Sequence, residues 1–252
     1  MFTALFKFFI SNQLKNRKTL IVACTGLVPI FIALIVVILQ PIIKDGKTAI
    51  DSFYPNFTFL LYLHFLVPIV SLFLGTGIIA DEVEDKTLQY LIIRPVPRFM
   101  IVFVKFMANI FIGSIVVILS LLLSYALAVM GSKEPLTVGF SFLIYSSGTL
   151  ILGLAVYSAL FSFFGGVLRY PMILGLLFVF GWEKVITYVP GNAQYLTIMN
   201  YLQTLYPFSD SNPFSSLFSA DISTMTAILV LSVLLFIFVG IACYLPSLKE
   251  YS

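Results

Sequence analysis

Few residues in this chain have types and spacing suited to chemistry. Its 252 residues include one histidine and two cysteines. A Ser-His hydrolase or a histidine metal centre would have to be built on His64, which has no serine motif or carboxylate near it in sequence. Neither His-Glu-x-x-His nor Gly-x-Ser-x-Gly occurs, which argues against an intramembrane protease. His64 reads as a hydrogen-bonded histidine inside a helix bundle. Cys24 and Cys243 lie singly in apolar runs and read as small buried hydrophobes, not as metal ligands or a disulfide. Gly46-Lys47-Thr48 looks like the tail of a phosphate-binding loop, but Pro41 stands where the leading glycine is required. The chain is therefore expected to bind no metal or cofactor and to have no ATPase of its own.

The remaining candidate is a cluster of charge. Asp81, Glu82, Glu84, Asp85, Lys86, Arg94, Arg98 and Lys105 fall in one connection, in a chain with only 10% charged residues. Long apolar runs flank it. A charge at the bilayer centre costs about 2.5–3.5 kcal/mol even on the lenient insertion scale, so the cluster belongs in water beside the membrane. Its four acidic residues crowd the start of a short predicted helix, where negative charge suits the helix dipole. Val83, Thr87, Tyr90 and Leu91 share one face, and Pro95 and Pro97 end the helix. An apolar stripe with an acidic rim is shaped to dock in a groove of a cytoplasmic protein.

Helices must hold that connection in place. The chain is 60% hydrophobic, with apolar runs near the ~20 residues that cross about 30 Å of hydrocarbon. The expected fold is an all-α integral membrane protein forming one domain over residues 1–252. Six spans are predicted, at about 19–40, 57–80, 101–130, 137–167, 171–188 and 224–245. Residues 1–18 place Phe2, Leu5, Phe6, Phe9, Ile10 and Leu14 opposite Lys7, Ser11, Asn12 and Lys15, the pattern of a helix lying in the membrane interface.

Six crossings put both ends on one side, and the basic residues identify it. The N-terminal helix, the charged connection, Arg169 and Lys249 hold ten of the 14 lysines and arginines. Lys44, Lys47, Lys133 and Lys184 fall on the other face. Both termini and the charged connection are therefore expected in the cytoplasm.

The fifth segment is irregular. Met172–Gly181 is apolar, then Trp182-Glu183-Lys184 interrupts it after too few residues to cross straight. Glu183 and Lys184 read as snorkelling neighbours near an interface, with Glu183 the candidate gating residue. Beyond Pro190-Gly191, Tyr195, Ile198, Met199, Leu202, Leu205 and Tyr206 oppose Gln194, Thr197, Asn200 and Gln203, which predicts a helix on or dipping into the outer leaflet.

At the charged connection the chain resembles the permease subunits of type-2 ABC exporters. That family typically carries Glu-x-Glu-x-Gly-Thr-Leu after its second span, then a Pro-Val-Ser-Arg-like turn and a lysine entering the third. Glu82, Glu84, Thr87, Leu88, Pro95, Val96, Arg98 and Lys105 stand in those positions; Lys86 replaces the glycine and Pro97 the serine. Pro190-Gly191, Tyr195-Leu196-Thr197-Ile198 and Tyr201-Leu202 are similar to the branch containing the nitrous-oxide-reductase maturation permease.

The resemblance implies a permease dimer, most simply a homodimer, in the inner (plasma) membrane. A cytoplasmic ATP-binding cassette subunit, holding ATP and Mg, would grip residues 81–98 as a coupling helix. The implied contact comprises Glu82, Glu84, Asp85, Thr87, Leu88, Tyr90, Leu91, Arg94 and Arg98, with Arg94, Arg98 and Lys105 fixing the helix against lipid phosphates or the partner. Membrane lipid surrounds the rest, and no nucleic acid is implied. Two other readings stay open: a non-transporting module transmitting force to an extracytoplasmic partner on residues 188–222, and an ion-coupled carrier.

Overall fold

The computed structural model describes residues 2–14, 16–39, 50–79, 98–132, 139–187, 192–207 and 222–248, and these are helical almost throughout. α1 is Phe2–Leu14 and α2 is Arg17–Leu39. α3 covers 50–76 as an α-helix Ile50–Phe57, a π-helical stretch Thr58–Leu66 and an α-helix Val67–Thr76. α4 is Arg98–Ser132 and α5 is Phe140–Val167. α6 covers 171–187, again in three parts: Pro171–Leu177, a π-turn Phe178–Glu183 and Lys184–Thr187. A 3₁₀ turn, Asn192–Leu196, precedes α7, Ile198–Leu205, and α8 is Thr224–Leu248.

Among the described residues, five helices are long and apolar enough to cross a membrane: α2, the 54–76 part of α3, α4, α5 and α8. The predicted fifth of six spans, 171–188, corresponds to α6. Its π-turn divides a segment already shorter than a straight crossing needs. The predicted spans at 19–40 and 224–245 match α2 and α8 within a few residues. α4 begins at Arg98 rather than at residue 101, and α5 begins at Phe140 rather than at 137 because Gly139, at φ 80°, adopts the left-handed conformation before it.

α3 and α5 form the centre. Their most apolar windows are 72% buried, against 22% for α2 and 11% for α8. Lipid tails are as apolar as leucine, so helices associate in a bilayer through close packing and polar contacts. The two central helices run parallel and meet through small residues. A Cβ on Gly75 would lie 2.8 Å from the Ser158 carbonyl oxygen, and one on Gly165 would lie 2.6 Å from the Thr76 carbonyl oxygen. Ser71 Oγ donates to the Leu154 carbonyl at 3.2 Å in the same seam.

A second polar seam joins α2, α3 and α4. Ser120 Oγ donates to the Gly26 carbonyl at 2.6 Å, and the Tyr62 hydroxyl meets Ser120 Oγ at 3.0 Å and Ser124 Oγ at 2.9 Å. Tyr54 adds a bond from its hydroxyl to the Leu121 carbonyl at 2.9 Å. These hydroxyls are satisfied without water, as buried polar groups in a low-dielectric interior must be.

α1 packs on the first turns of α4 instead of presenting its whole apolar face to lipid. Phe9 is buried with Ile101, Val104 and Ala108, and the Phe6 ring meets Phe111 edge-on at 6.0 Å. Phe8 is exposed, its ring meeting that of Phe9 edge-on at 5.6 Å from outside this cluster. The bundle has a near end, which carries α1, and a far end, which carries α7.

Candidate functional site

Glu82, Glu84, Asp85, Thr87, Leu88, Tyr90, Leu91 and Arg94 lie outside the described residues, and Arg98 opens α4. What the structure defines is the root of that connection. Lys105 is buried, and its Nζ donates to the carbonyls of Gly77 at 3.2 Å and Ile78 at 3.0 Å. One turn further along α4, Asn109 Nδ2 donates to the Leu74 carbonyl at 2.6 Å. The last carbonyls of a helix lack intrahelical partners and carry its negative dipole end, so a cation there serves as both cap and countercharge. Lys105 therefore joins the exit of α3 to the entry of α4. This corrects the expectation that it reaches lipid phosphate or a partner: its ammonium is turned into the bundle, where those carbonyls need donors.

Lys105→Met should orphan both carbonyls and destabilise the protein by about 1–3 kcal/mol, while Lys105→Arg, which keeps the donors, should recover most of the loss. Thermal unfolding of the detergent-purified chain would measure both.

A second polar locus lies toward the far end. Glu183, in the π-turn of α6, is 2% exposed. Its Oε2 accepts from the Tyr157 hydroxyl of α5, and its Oε1 accepts from the Ile198 backbone N–H at 3.2 Å. Ile198 is the first residue of α7, so the carboxylate sits at that helix's positive end, where its unsatisfied amides point. This corrects the reading of Glu183 as a snorkelling residue: the π-turn and α7 enclose it.

His64 occupies the other π-helical stretch. Its Nδ1 lies 3.1 Å from the Phe59 carbonyl and its Nε2 lies 3.0 Å from Gln203 Nε2 of α7. A carbonyl only accepts, so Nδ1 carries the hydrogen and Nε2 accepts from the Gln203 amide. His64 is thus a bundle histidine, as expected, but one that reaches α7. The π-widening has a local cause. Pro68 has no N–H for the preceding turn, and the Val67 N–H bonds to Tyr62, five residues back.

α7 meets these groups with both faces. Ile198, Met199 and Leu202 are buried, but so are Asn200 and Gln203 of the predicted polar face. Thr149 Oγ1 donates to the Leu205 carbonyl at 3.1 Å, and the Tyr206 hydroxyl donates to the Pro55 carbonyl at 3.0 Å. α7 is therefore a part of the bundle, not a helix resting on a surface. Tyr157 escaped the sequence reading because a tyrosine in an apolar run carries no signal of its partner. Gln203 did carry one, on the polar face of the 195–206 pattern.

Among the described residues no cluster of histidine, cysteine, aspartate or glutamate could hold a metal ion. Among the described residues the architecture is that of an all-helical membrane protein whose polar contacts brace one helix against another. The chain belongs to the ABC-2 family transporter proteins, whose pattern it matches over residues 7–247, nearly its whole length. It is a membrane component of that transporter family, whose members are normally not themselves catalytic, generally work with an ATP-binding subunit and often dimerise. No curated protein matches the chain.

Proposed function

We propose that this chain is the permease subunit of an ATP-driven exporter, with both termini and residues 81–98 on the cytoplasmic side of the inner membrane. A separate cassette subunit holds ATP and Mg and grips the coupling helix through Glu82, Glu84, Asp85, Thr87, Leu88, Tyr90 and Leu91, flanked by Arg94 and Arg98. A second copy of the chain completes the pathway. The likeness of residues 190–202 to the nitrous-oxide-reductase maturation branch does not alter this reading.

The observation that carries it is the brace at Lys105. An external motor can drive a bundle only if the element it grips is rigidly joined to the helices that must move. Lys105 and Asn109 tie the end of α3 to α4 at the root of the connection. The glycine seam then ties α3 to α5. A push on residues 81–98 is thereby carried into the centre of the bundle.

Glu84→Arg reverses charge on the acidic rim, and Leu91→Asp puts a carboxylate in the apolar stripe. Each should reduce copurification of the cassette subunit by at least about tenfold, since truncating or unpairing a central contact costs roughly 2 kcal/mol or more. Retention of the cassette by both variants would refute the contact, provided both reach the membrane in normal amount.

A further inference from the structure

The two π-helical stretches among the described residues share a feature that the permease reading does not use. One holds His64 and the other Glu183, two of the buried side chains able to carry charge, and both bond to the same eight-residue helix, α7. We propose that α7 is a movable plug between α3 and α5, held in place by two polar pins: Glu183 with Tyr157 at its first turn, and His64 with Gln203 at its last.

The geometry is that of a wedge. Toward the near end, α3 and α5 approach backbone to backbone at Gly75 with Ser158 and at Gly165 with Thr76. At Gly153 the filling atoms change. A Cβ there would meet Leu202 Cδ1 of α7 at 3.0 Å, before Val67 Cγ1 of α3 at 3.4 Å. Still closer to the far end, Tyr206 lies between Phe59 of α3, at 5.4 Å, and Phe142 of α5, at 5.7 Å between ring centroids. Gly153 is the fourteenth residue of α5, so Leu202 sits roughly 20 Å of helix in from that end. Withdrawing α7 would therefore open a cleft between the two central helices from the far end to about mid-depth.

The pins suit a part that must both hold and release. Packing alone would hold α7 through Leu202, Met199 and Ile198, whereas each hydrogen bond has a defined broken state. The π-turns make the pins possible. Each widens its helix by one residue and turns a polar side chain toward α7, and such widenings commonly mark functional positions. The proposal rests on the permease function above, because a plug is useful only on a path that opens.

The test reads water access to the plug directly. The full chain carries Leu202→Cys with Cys24→Ser and Cys243→Ala, in nanodiscs of phosphatidylethanolamine and phosphatidylglycerol open to reagent on both faces. Reaction with a water-soluble maleimide should be slow in this parent and faster by roughly tenfold on adding Glu183→Ala or Gln203→Leu, the factor expected for one net hydrogen bond. His64→Phe, which removes the acceptor of the Gln203 amide and keeps a ring, decides the matter should either of those fail to insert. Ser71→Ala, which cuts an α3–α5 bond away from α7, should leave the rate at the parent value. Parent-like labelling in the pin variants would overturn the proposal, as would an equal rise in Ser71→Ala, which would mean general loosening. No nucleotide or partner is needed, so this result and the copurification result can fail independently.

Discussion

Gly165→Val is expected to be among the most damaging single changes in the chain, leaving little folded protein to extract from the membrane. The ideal Cβ at Gly165 falls 2.6 Å from the Thr76 carbonyl oxygen, with the Thr76 carbonyl carbon and Cα at 3.4 Å. All three are backbone atoms of α3, so no side chain can swing aside. Valine adds two further carbons, and relief requires α3 and α5 to separate along the seam that also holds Gly75 against Ser158. Overpacking of a tight core typically costs about 1–3 kcal/mol, and more where only backbone can yield. For a chain of this size that lowers the melting temperature by roughly 2–12 °C. Gly148 and Gly240 supply the controls: a Cβ at either meets nothing within 4 Å. Gly148→Ala and Gly240→Ala should therefore unfold within a degree or two of the parent. If Gly165→Val matches those controls, the α3–α5 seam is not the tight joint described here.

Glu183→Ala is expected to cost nearly as much, for a different reason. It deletes the acceptor of buried donors that include the Tyr157 hydroxyl and the Ile198 N–H. An orphaned buried donor costs about 1–3 kcal/mol, so roughly 2–6 kcal/mol is at stake if water does not enter. Glu183→Gln separates bonding from charge. Its amide oxygen can still accept from Ile198, and its NH₂ can donate to the Tyr157 oxygen, so it should retain most of the stability. What it loses is the interaction of a negative charge with the α7 dipole, about 0.3–1 kcal/mol. Thermal unfolding of the three proteins in one detergent should rank parent, then Gln, then Ala. Equal melting of parent and Ala would show that the carboxylate holds nothing.

The two predictions also separate what was legible in the amino-acid order from what was not. The glycine positions were visible, but every apolar run contains small residues. Nothing in the order of α5 distinguishes Gly165, packed on a carbonyl, from Gly148, facing open space. Glu183 stood out because a carboxylate in an apolar segment is rare, yet its neighbour Lys184 suggested a surface pair. The Glu183 side chain nonetheless points inward, to Tyr157 of α5 and to the first turn of α7. Lys105 was noticed as a lysine entering a span; the Gly77 and Ile78 carbonyls it bonds are 28 and 27 residues away and have no side-chain signature.

The sequence alone determined that this chain lives in a membrane, that its bulk is helical, and approximately where its long helices run. Hydrocarbon admits only segments that satisfy their own backbone, and each such segment declares itself through some twenty apolar residues. Tertiary structure alone decided that α3 and α5 form the centre, that Lys105 braces a helix end, and that α7 packs into the bundle against α8, α5 and α3. In a solvent as apolar as the side chains, hydropathy does not distinguish a buried face from one in lipid. Those choices rest on steric fit and on individual polar contacts between residues far apart in the chain.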